Sequence, residues 1–153
     1  MEKTENMRNP IGILLVGNNP LEMGGMLDTI RGLEYKEIKS EFAFDQESIE
    51  GRLNDFRPDF ILLDDNLGKG SLTSILSFLS HHKNTKDVPI TILKNSNYEE
   101  SSSAFGIFDF ILKQNLSVES LYHTILNSIK FRKTRNYLSN LYQNRKAKVS
   151  LLP

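Results

Sequence analysis

The sequence predicts an α/β protein built around a doubly wound parallel sheet with helices on both of its faces. Five short apolar runs alternate with five segments of helical character, which is the pattern of consecutive β-α units. The run Phe60–Leu63 is apolar at every position, as expected for a strand that is buried on both faces of a parallel sheet. Right-handed crossovers between such strands distribute the helices over the two faces.

The five runs are the predicted strands of the sheet. In chain order they are Ile11–Val16, Ile38–Phe44, Phe60–Leu63, Ile90–Leu93 and Phe108–Leu112. The first predicted helix follows Pro20, because proline suits the first turn of a helix. Its apolar residues recur at helical spacing, at Leu21, Met26, Leu27, Ile30 and Leu33. Gly24 and Gly25 inside this helix are expected to weaken it by about 1 kcal/mol each.

Four further helical segments are predicted. Asp45 is the expected N-cap of the second helix. The third begins at Ser71 and runs toward His81 and His82, and residues 97–105 form a short, serine-rich and weak helical segment. The last begins with Ser117 as its cap, and its core-facing residues are Leu121, Ile125, Leu126 and Ile129.

Composition points to one globular domain of 153 residues. The absence of cysteine excludes a disulfide framework and thiolate metal sites. No apolar stretch approaches the ~18 residues that a membrane span requires, and the polar N-terminus lacks the apolar core of a signal peptide. We therefore expect a cytoplasmic protein without a membrane span.

The chain divides into an N-terminal tail (1–9), one domain (10–130) and a basic helical extension (131–153). Seven basic and no acidic residues lie between 130 and 153, so the rest of the chain carries a net charge of −7. Such an extension could bind an acidic partner, nucleic acid or a membrane, or be a solvated helix end. Residues 131, 134, 138 and 141 have heptad-like spacing, but docking of the extension on its own domain is an equal alternative.

Charged side chains follow three of the predicted strands. Asp64 ends the third strand, Lys94 follows the fourth and Lys113 follows the fifth. The carboxyl ends of parallel strands share one edge of the sheet, where ligand sites form. From the residues alone, Asp64 is either the partner of a structural ion pair or a nucleophile for phosphoryl transfer with lysine stabilising the charge.

Four segments in order resemble those of a response-regulator receiver domain of the CheY-like superfamily. They are ILLVGNNP, PDFILLD, VPITILKN and GIFDFILK, and the resemblance covers residues 10–130. It implies a flavodoxin-like sheet of order 2-1-3-4-5 and a regulatory module that is not an enzyme. It also implies that Asp64 is the phospho-acceptor, that Lys113 is its lysine partner and that Phe110 is the switch aromatic.

The sequence departs from the receiver pattern where the family holds Mg²⁺. The acidic pair that follows the first strand in the family is replaced by Gly17 and Asn18. Mg²⁺ is usually held by one or two carboxylates together with phosphate and water, so we expect no cofactor and at most weak Mg²⁺ binding. Asp65 would point to the opposite face of an extended strand and is not expected to substitute.

Lys94 stands where the family has a serine or threonine. It could join Lys113 in neutralising Asp64, which would freeze one state, or supply the charge that Mg²⁺ usually gives. The segment from Lys94 to Gly106 is also about one helical turn shorter than the family implies. We therefore predict a degenerate receiver that transmits signals by protein–protein contact, with impaired or unconventional phosphorylation. The alternative is a working phospho-acceptor for a histidine kinase.

The predicted partners are a histidine kinase or a downstream signalling protein. They would bind the surface of the fourth and fifth predicted helices and the fifth strand, and a homodimer through the C-terminal face is a further expectation. Contact of the basic extension with nucleic acid is the least favoured alternative.

Overall fold

The computed structural model describes residues 10–32, 37–95 and 107–150. The strands are β1 (Ile11–Val16), β2 (Ile38–Ala43), β3 (Phe60–Asp64), β4 (Ile90–Lys94) and β5 (Ile107–Leu112). The helices are α1 (Pro20–Arg31), α2 (Gln46–Leu53), α3 (Lys69–His81) and α4 (Val118–Ser150). Short 3₁₀ turns follow β3 and β5, over Asp65–Leu67 and Lys113–Asn115. The predicted helix at 97–105 lies outside the described residues.

The five strands form one parallel sheet in the order β2-β1-β3-β4-β5, so the predicted fold class is confirmed. In the register of the sheet, Val16 pairs with Leu63, Asp64 with Leu93, and Lys94 with Leu112. The carboxyl ends of β1, β3, β4 and β5 therefore lie side by side at one edge of the sheet, where ligand sites form in this class of fold.

The sheet separates two apolar layers. Alternate side chains of a strand point to opposite faces, and in β1 Ile13 and Leu15 belong to one layer while Leu14 and Val16 belong to the other. The first layer is completed by α1 and α4 through Met23, Met26, Ile30, Leu121 and Ile125. The second is completed by α2 and α3 through Ile49, Leu53, Ile75, Leu76 and Leu79. Every residue of β1 and β3 is buried, which explains their unbroken apolar character.

Side-chain caps fix where the helices begin. Asn19 caps α1, because its Oδ1 accepts from the amides of Leu21 and Glu22 at 3.1 and 3.4 Å. Asp45 forms a capping box with Ser48 at the start of α2, and Ser117 Oγ accepts from the Ser120 amide at 3.1 Å. The predicted caps at Asp45 and Ser117 are confirmed.

Two details of the predicted helices were wrong. Leu21 is 89% exposed, and the neighbouring buried position of α1 is Met23, because Asn19 starts the helix with Leu21 turned toward solvent. The helix α3 begins at Lys69, two residues before the predicted Ser71, after Gly68 has turned the chain with a φ of 87°.

The long helix α4 continues well past the domain. Leu121 and Ile125 belong to the core, and Arg132 still reaches Asp59 at 3.9 Å. From Lys133 to Lys146 every side chain is exposed, so docking of the extension on its own domain is not observed for these residues. No helix among the described residues is long and apolar enough to span a bilayer.

Candidate functional site

Asp64 is the last residue of β3 and is fully buried, with 0% exposure. Its Oδ1 accepts a hydrogen bond from the Asn66 amide at 2.9 Å and lies 2.7 Å from the Lys113 ammonium. Its Oδ2 is buried and has no hydrogen-bond partner among the described residues. Burial raises the pKa of Asp64, although the Lys113 ammonium and the Asn66 amide favour the charged form and oppose this effect.

Lys113 is shared between two carboxylates. Its Nζ lies 2.7 Å from Asp64 Oδ1 and 2.8 Å from Glu22 Oε2. Burial acts to lower the pKa of Lys113, but the two carboxylates together outweigh burial and raise it. The hydrogen bond from Lys113 in turn holds the pKa of Glu22 below its usual value. The predicted ion pair of Asp64 and Lys113 is therefore observed as part of a triad with Glu22.

Glu22 was missed by the sequence analysis. It lies in the first turn of α1, where an acidic residue ordinarily stabilises the helix dipole and faces solvent. A usable signal was present, because α1 begins directly after β1 and its first turn must lie at the functional edge of the sheet. The sequence did not indicate which side chain of that turn would face Lys113.

Asn66 is the second missed residue, and it joins four parts of the site. Its backbone amide donates to Asp64, and its side-chain amide donates to Glu22 Oε2 at 2.8 Å. Its backbone carbonyl accepts from Asn18 Nδ2 at 3.1 Å, and its Oδ1 accepts from Asn95 Nδ2 at 2.5 Å. The 3₁₀ turn after β3 is thereby tied to the ends of β1 and β4 and to the start of α1.

Gly17 and Asn18 lie at the carboxyl end of β1, as predicted. Gly17 is buried, and a Cβ added there would approach Asp64 Cβ at 3.3 Å and Met23 Cγ at 3.4 Å. A side chain at this position would therefore point at Asp64. Asn18 is exposed, and its Nδ2 donates to the Asn66 carbonyl, so the side chain at this position is a neutral amide and not a carboxylate.

Lys94 and Phe110 lie together at the ends of β4 and β5. The Lys94 ammonium is 5.0 Å from the centroid of the Phe110 ring, a distance at which a cation–π attraction operates. Phe110 is 41% exposed, so its ring faces outward. Of the two lysines expected to pair with Asp64, Lys113 lies 2.7 Å from its Oδ1, while the Lys94 ammonium lies over the Phe110 ring.

Asp65 does not occupy an extended strand, because the 3₁₀ turn begins there. Its carboxylate accepts from the Asn95 backbone amide at 3.1 Å and from Asn95 Nδ2 at 2.7 Å. The assumed strand geometry was therefore wrong at Asp65, because β3 ends one residue earlier. Its carboxylate is turned toward the end of β4.

Both carboxylates of the triad are engaged by the same lysine. Asp64 and Glu22 hold the Lys113 ammonium between them. Asn18 binds the Asn66 carbonyl through its Nδ2, whereas Mg²⁺ takes oxygen ligands. Among the described residues no group of three or more His, Asp or Glu side chains could hold a metal ion.

This chain is similar to known proteins in its three-dimensional structure and not detectably in its sequence. No protein-family profile and no curated protein matches the sequence. Solved structures do match, including the signal receiver domain of an HD domain-containing protein from Pseudomonas fluorescens, at 12% identity and a TM-score of 0.68 over 82% of this chain and 99% of that one. The receiver domain of a sensor histidine kinase from Pseudomonas aeruginosa, solved with magnesium in its active site cleft, matches at 20% identity and a TM-score of 0.66 over 80% and 99%.

A chemotaxis response regulator of Vibrio cholerae is similar at 16% identity and a TM-score of 0.62, over 81% of this chain and 99% of that one. The first two of these neighbours are named receiver domains and the third a response regulator, and all three match this chain in fold at 20% sequence identity or less. The chain therefore has the fold of the response-regulator receiver domains.

Proposed function

We propose that this chain is a receiver module of a two-component signalling system that acts by protein–protein contact, with phosphorylation of Asp64 impaired or unconventional. It is regulatory rather than enzymatic, and its partners are a histidine kinase or a downstream signalling protein. The observation that carries the proposal is the triad. Asp64 is fully buried, and its lysine partner is already shared with Glu22.

The triad works against phosphoryl transfer to Asp64. The transfer requires the carboxylate to attack phosphorus while cations neutralise charge on the phosphoryl oxygens. Lys113 is the nearest cation, and Glu22 Oε2 already lies 2.8 Å from it. An entering phosphoryl group would meet the negative charge of Glu22 and would have to displace it from Lys113. Like charges at this distance oppose such entry.

The missing metal ligands work in the same direction. The magnesium ion in the Pseudomonas aeruginosa receiver domain lies in its active site cleft. Here Gly17 has no side chain and Asn18 donates to Asn66, so the acidic pair that would bind magnesium is replaced by a neutral network. We expect Mg²⁺ to bind weakly or not at all.

Lys94 and Phe110 support loss of the usual coupling between phosphorylation and the switch aromatic. A lysine cannot accept a hydrogen bond, and here its ammonium lies over the outward-facing ring of Phe110. A cation–π contact of about 0.5–1 kcal/mol at an exposed site would favour the outward position of the ring whatever the state of Asp64.

A working phospho-acceptor is the second candidate, and one observation favours it. Asp64 Oδ2 has no hydrogen-bond partner among the described residues, so one carboxylate oxygen is not held by a donor and could attack phosphorus. In this alternative a histidine kinase donates the phosphoryl group, and Lys113 and Lys94 supply the charge that Mg²⁺ gives elsewhere.

Phosphorylation separates the two candidates. The protein is incubated with Mg²⁺ and acetyl phosphate and measured by intact mass spectrometry, with Asp64→Asn as the site control and Asp59→Asn as a control at a partly exposed carboxylate. We expect no phosphoryl adduct, or only a trace. An abundant adduct that persists in Asp59→Asn and is absent from Asp64→Asn would overturn the proposal and establish the phospho-acceptor.

Metal binding is tested independently. Mg²⁺ alone is titrated while the backbone amide signals of residues near Asn18 and Asp64 are followed by NMR. We expect no saturable shifts in the natural chain and saturable shifts in Asn18→Asp, because that change converts a donor into a carboxylate ligand. Saturable binding by the natural chain at low millimolar Mg²⁺ would contradict the metal part of the proposal.

A further inference from the structure

The C-terminal part of α4 projects from the domain with an apolar strip along one face. We name this strip the extension seam and define it as Thr134, Leu138 and Leu141 with Tyr137 and Tyr142 beside them. The two leucines are 58% and 38% exposed and the two tyrosines 63% and 64%. The spacing of 4 and 3 residues along the seam is that of helices that pack side by side.

The seam faces away from the domain to which α4 is attached. Ile125 marks the buried face of α4, with 3% exposure. At about 100° per residue, Leu138 and Leu141 lie roughly 140° and 160° around the helix from Ile125. A continuous helix therefore cannot turn the seam onto its own domain. The 18 residues from 133 to 150 extend about 27 Å, which is long enough to support a partner helix.

The charges beside the seam indicate what kind of helix would pack there. The extension contains six basic residues and no acidic one, with Lys130 directly before it, and both Lys130 and Arg135 are exposed. Consider a parallel coiled-coil dimer of two identical extensions with Leu138 and Leu141 in its core. Lys130 of one copy and Arg135 of the other would then face each other across the edge of the interface. Like charges there oppose self-association, whereas glutamate or aspartate on a partner would be attracted.

We propose that the extension seam binds an amphipathic helix of another protein, one with an apolar seam and acidic residues on its flanks. This goes beyond the proposed function, because it assigns a second binding surface and the chemistry of its partner. Contact with nucleic acid would use the basic residues without requiring the leucines. A membrane-surface helix needs a broad apolar face, whereas Thr134 and Arg145 interrupt this narrow one.

The proposal is tested with the full chain and two synthetic helical peptides of equal length. Both peptides carry leucine at the seam positions; one has glutamate and the other lysine at the flanking positions. Binding is followed by fluorescence anisotropy for the natural chain, for Leu138→Ala with Leu141→Ala, and for the matched control Asn136→Ala with Gln143→Ala on the opposite face. All four replaced side chains are exposed, so the fold is expected to tolerate both variants.

We expect the acidic peptide to bind and the lysine peptide not to bind. The leucine variant should weaken binding by about tenfold or more, since apolar area is lost from the interface. The control variant should leave affinity unchanged, and added salt should reduce it.

Four results would overturn the proposal. Equal affinity for the two peptides would show that the charge beside the seam does not select the partner. An unchanged affinity of the leucine variant would show that the seam leucines do not take part in binding. A dimer in light scattering that dissociates in the leucine variant would assign the seam to a second copy of the chain. Seam-dependent binding to phosphatidylcholine–phosphatidylglycerol vesicles, without binding of the acidic peptide, would assign it to a membrane.

Discussion

At the scale of single residues, the site is organised by one buried carboxylate and the ammonium group that compensates it. Asp64 is fully buried, whereas the side chains of Lys113 and Glu22 are 18% and 36% exposed. A buried charge is tolerated when a counter-ion and hydrogen bonds replace water. Lys113 and the Asn66 amide perform this role for Asp64, while Glu22 provides the second, more exposed partner of Lys113.

Replacing Lys113 with methionine should leave Asp64 buried without its counter-ion. We expect the free energy of unfolding at pH 7 to fall by about 3 kcal/mol, as when one partner of a buried ion pair is removed. Burial already raises the pKa of Asp64, and loss of Lys113 should raise it further. The unfolded chain then binds fewer protons than the folded one, so the destabilisation is present above the folded pKa and fades as the pH falls toward the unfolded value of 3.8.

Urea denaturation of the natural chain and the Lys113→Met variant at pH 7 and pH 4 measures this effect. Lys113→Met combined with Asp64→Asn should recover part of the lost stability, because the uncompensated charge is gone. Glu22→Gln removes a partly exposed partner and should cost no more than about 1 kcal/mol. An equal loss at both pH values would instead assign the effect of Lys113→Met to packing of the lysine stem.

At the scale of elements, the local start and end of each helix and strand decide which side chains reach the site. The Asn19 cap and Pro20 set the start of α1 and so turn Glu22 toward Lys113. The 3₁₀ turn after β3 places Asn66 between Asp64 and Glu22. Glu22 and Asn66 belong to no recognisable sequence motif. Each reaches the site because the helix or turn that carries it begins one or two residues earlier.

The glycines of α1 and β1 give a prediction at this scale. A Cβ added at Gly24 or Gly25 meets no atom within 4 Å, so alanine there should raise the free energy of unfolding by about 0.5–1 kcal/mol each. A Cβ at Gly12 would lie 2.9 Å from the Arg57 carbonyl oxygen and 3.1 Å from Phe56 Cζ. Gly12→Ala should therefore destabilise by about 1–3 kcal/mol.

Thermal and urea denaturation of the three alanine variants tests these signs. The two substitutions in α1 serve as matched controls for the one in β1, because all three add one methyl group. A stable Gly12→Ala protein would mean that the contact of β1 with the segment before β3 can relax, against the expectation from the packed sheet.

At the scale of the whole molecule, α4 has two roles in one continuous helix. Its first part completes the apolar layer that it shares with α1, and its second part projects with every described side chain exposed. The structure therefore separates a half that packs in the core from a half whose described side chains are exposed. The net charge follows the same division, since the extension is basic and the remainder of the chain acidic.

A chain that ends at Arg135 should fold as stably as the full chain. The described side chains that the truncation removes, 136–146, are all exposed, so we expect the free energy of unfolding to change by no more than about 0.5 kcal/mol. The helical signal in circular dichroism should fall. Urea denaturation of both chains provides the measurement. A loss above about 2 kcal/mol would show that the extension packs on the domain in solution.

Much of the fold could be predicted because its signals are local. The unbroken apolar runs placed β1 with its observed ends, and β3 and β4 to within one residue. Asp45 and Ser117 could be recognised as caps because a cap bonds to amides only three residues away. Asp64 and Lys113 could be placed at the edge of the sheet because each directly follows an apolar run, and the receiver resemblance then supplied the order of the strands.

The sequence by itself determined the parallel sheet, the edge at which its charged residues collect, and the amphipathic extension. These features depend on apolar spacing and on helix caps, which involve residues only a few positions apart in the chain. Only the tertiary structure decided that Glu22 meets Lys113, since 91 positions separate them, and that Asn66 holds both ends of the triad. Such contacts depend on how three elements are placed relative to one another. The sequence around a polar residue in a helix's first turn looks the same whether its side chain faces solvent or a buried ion pair.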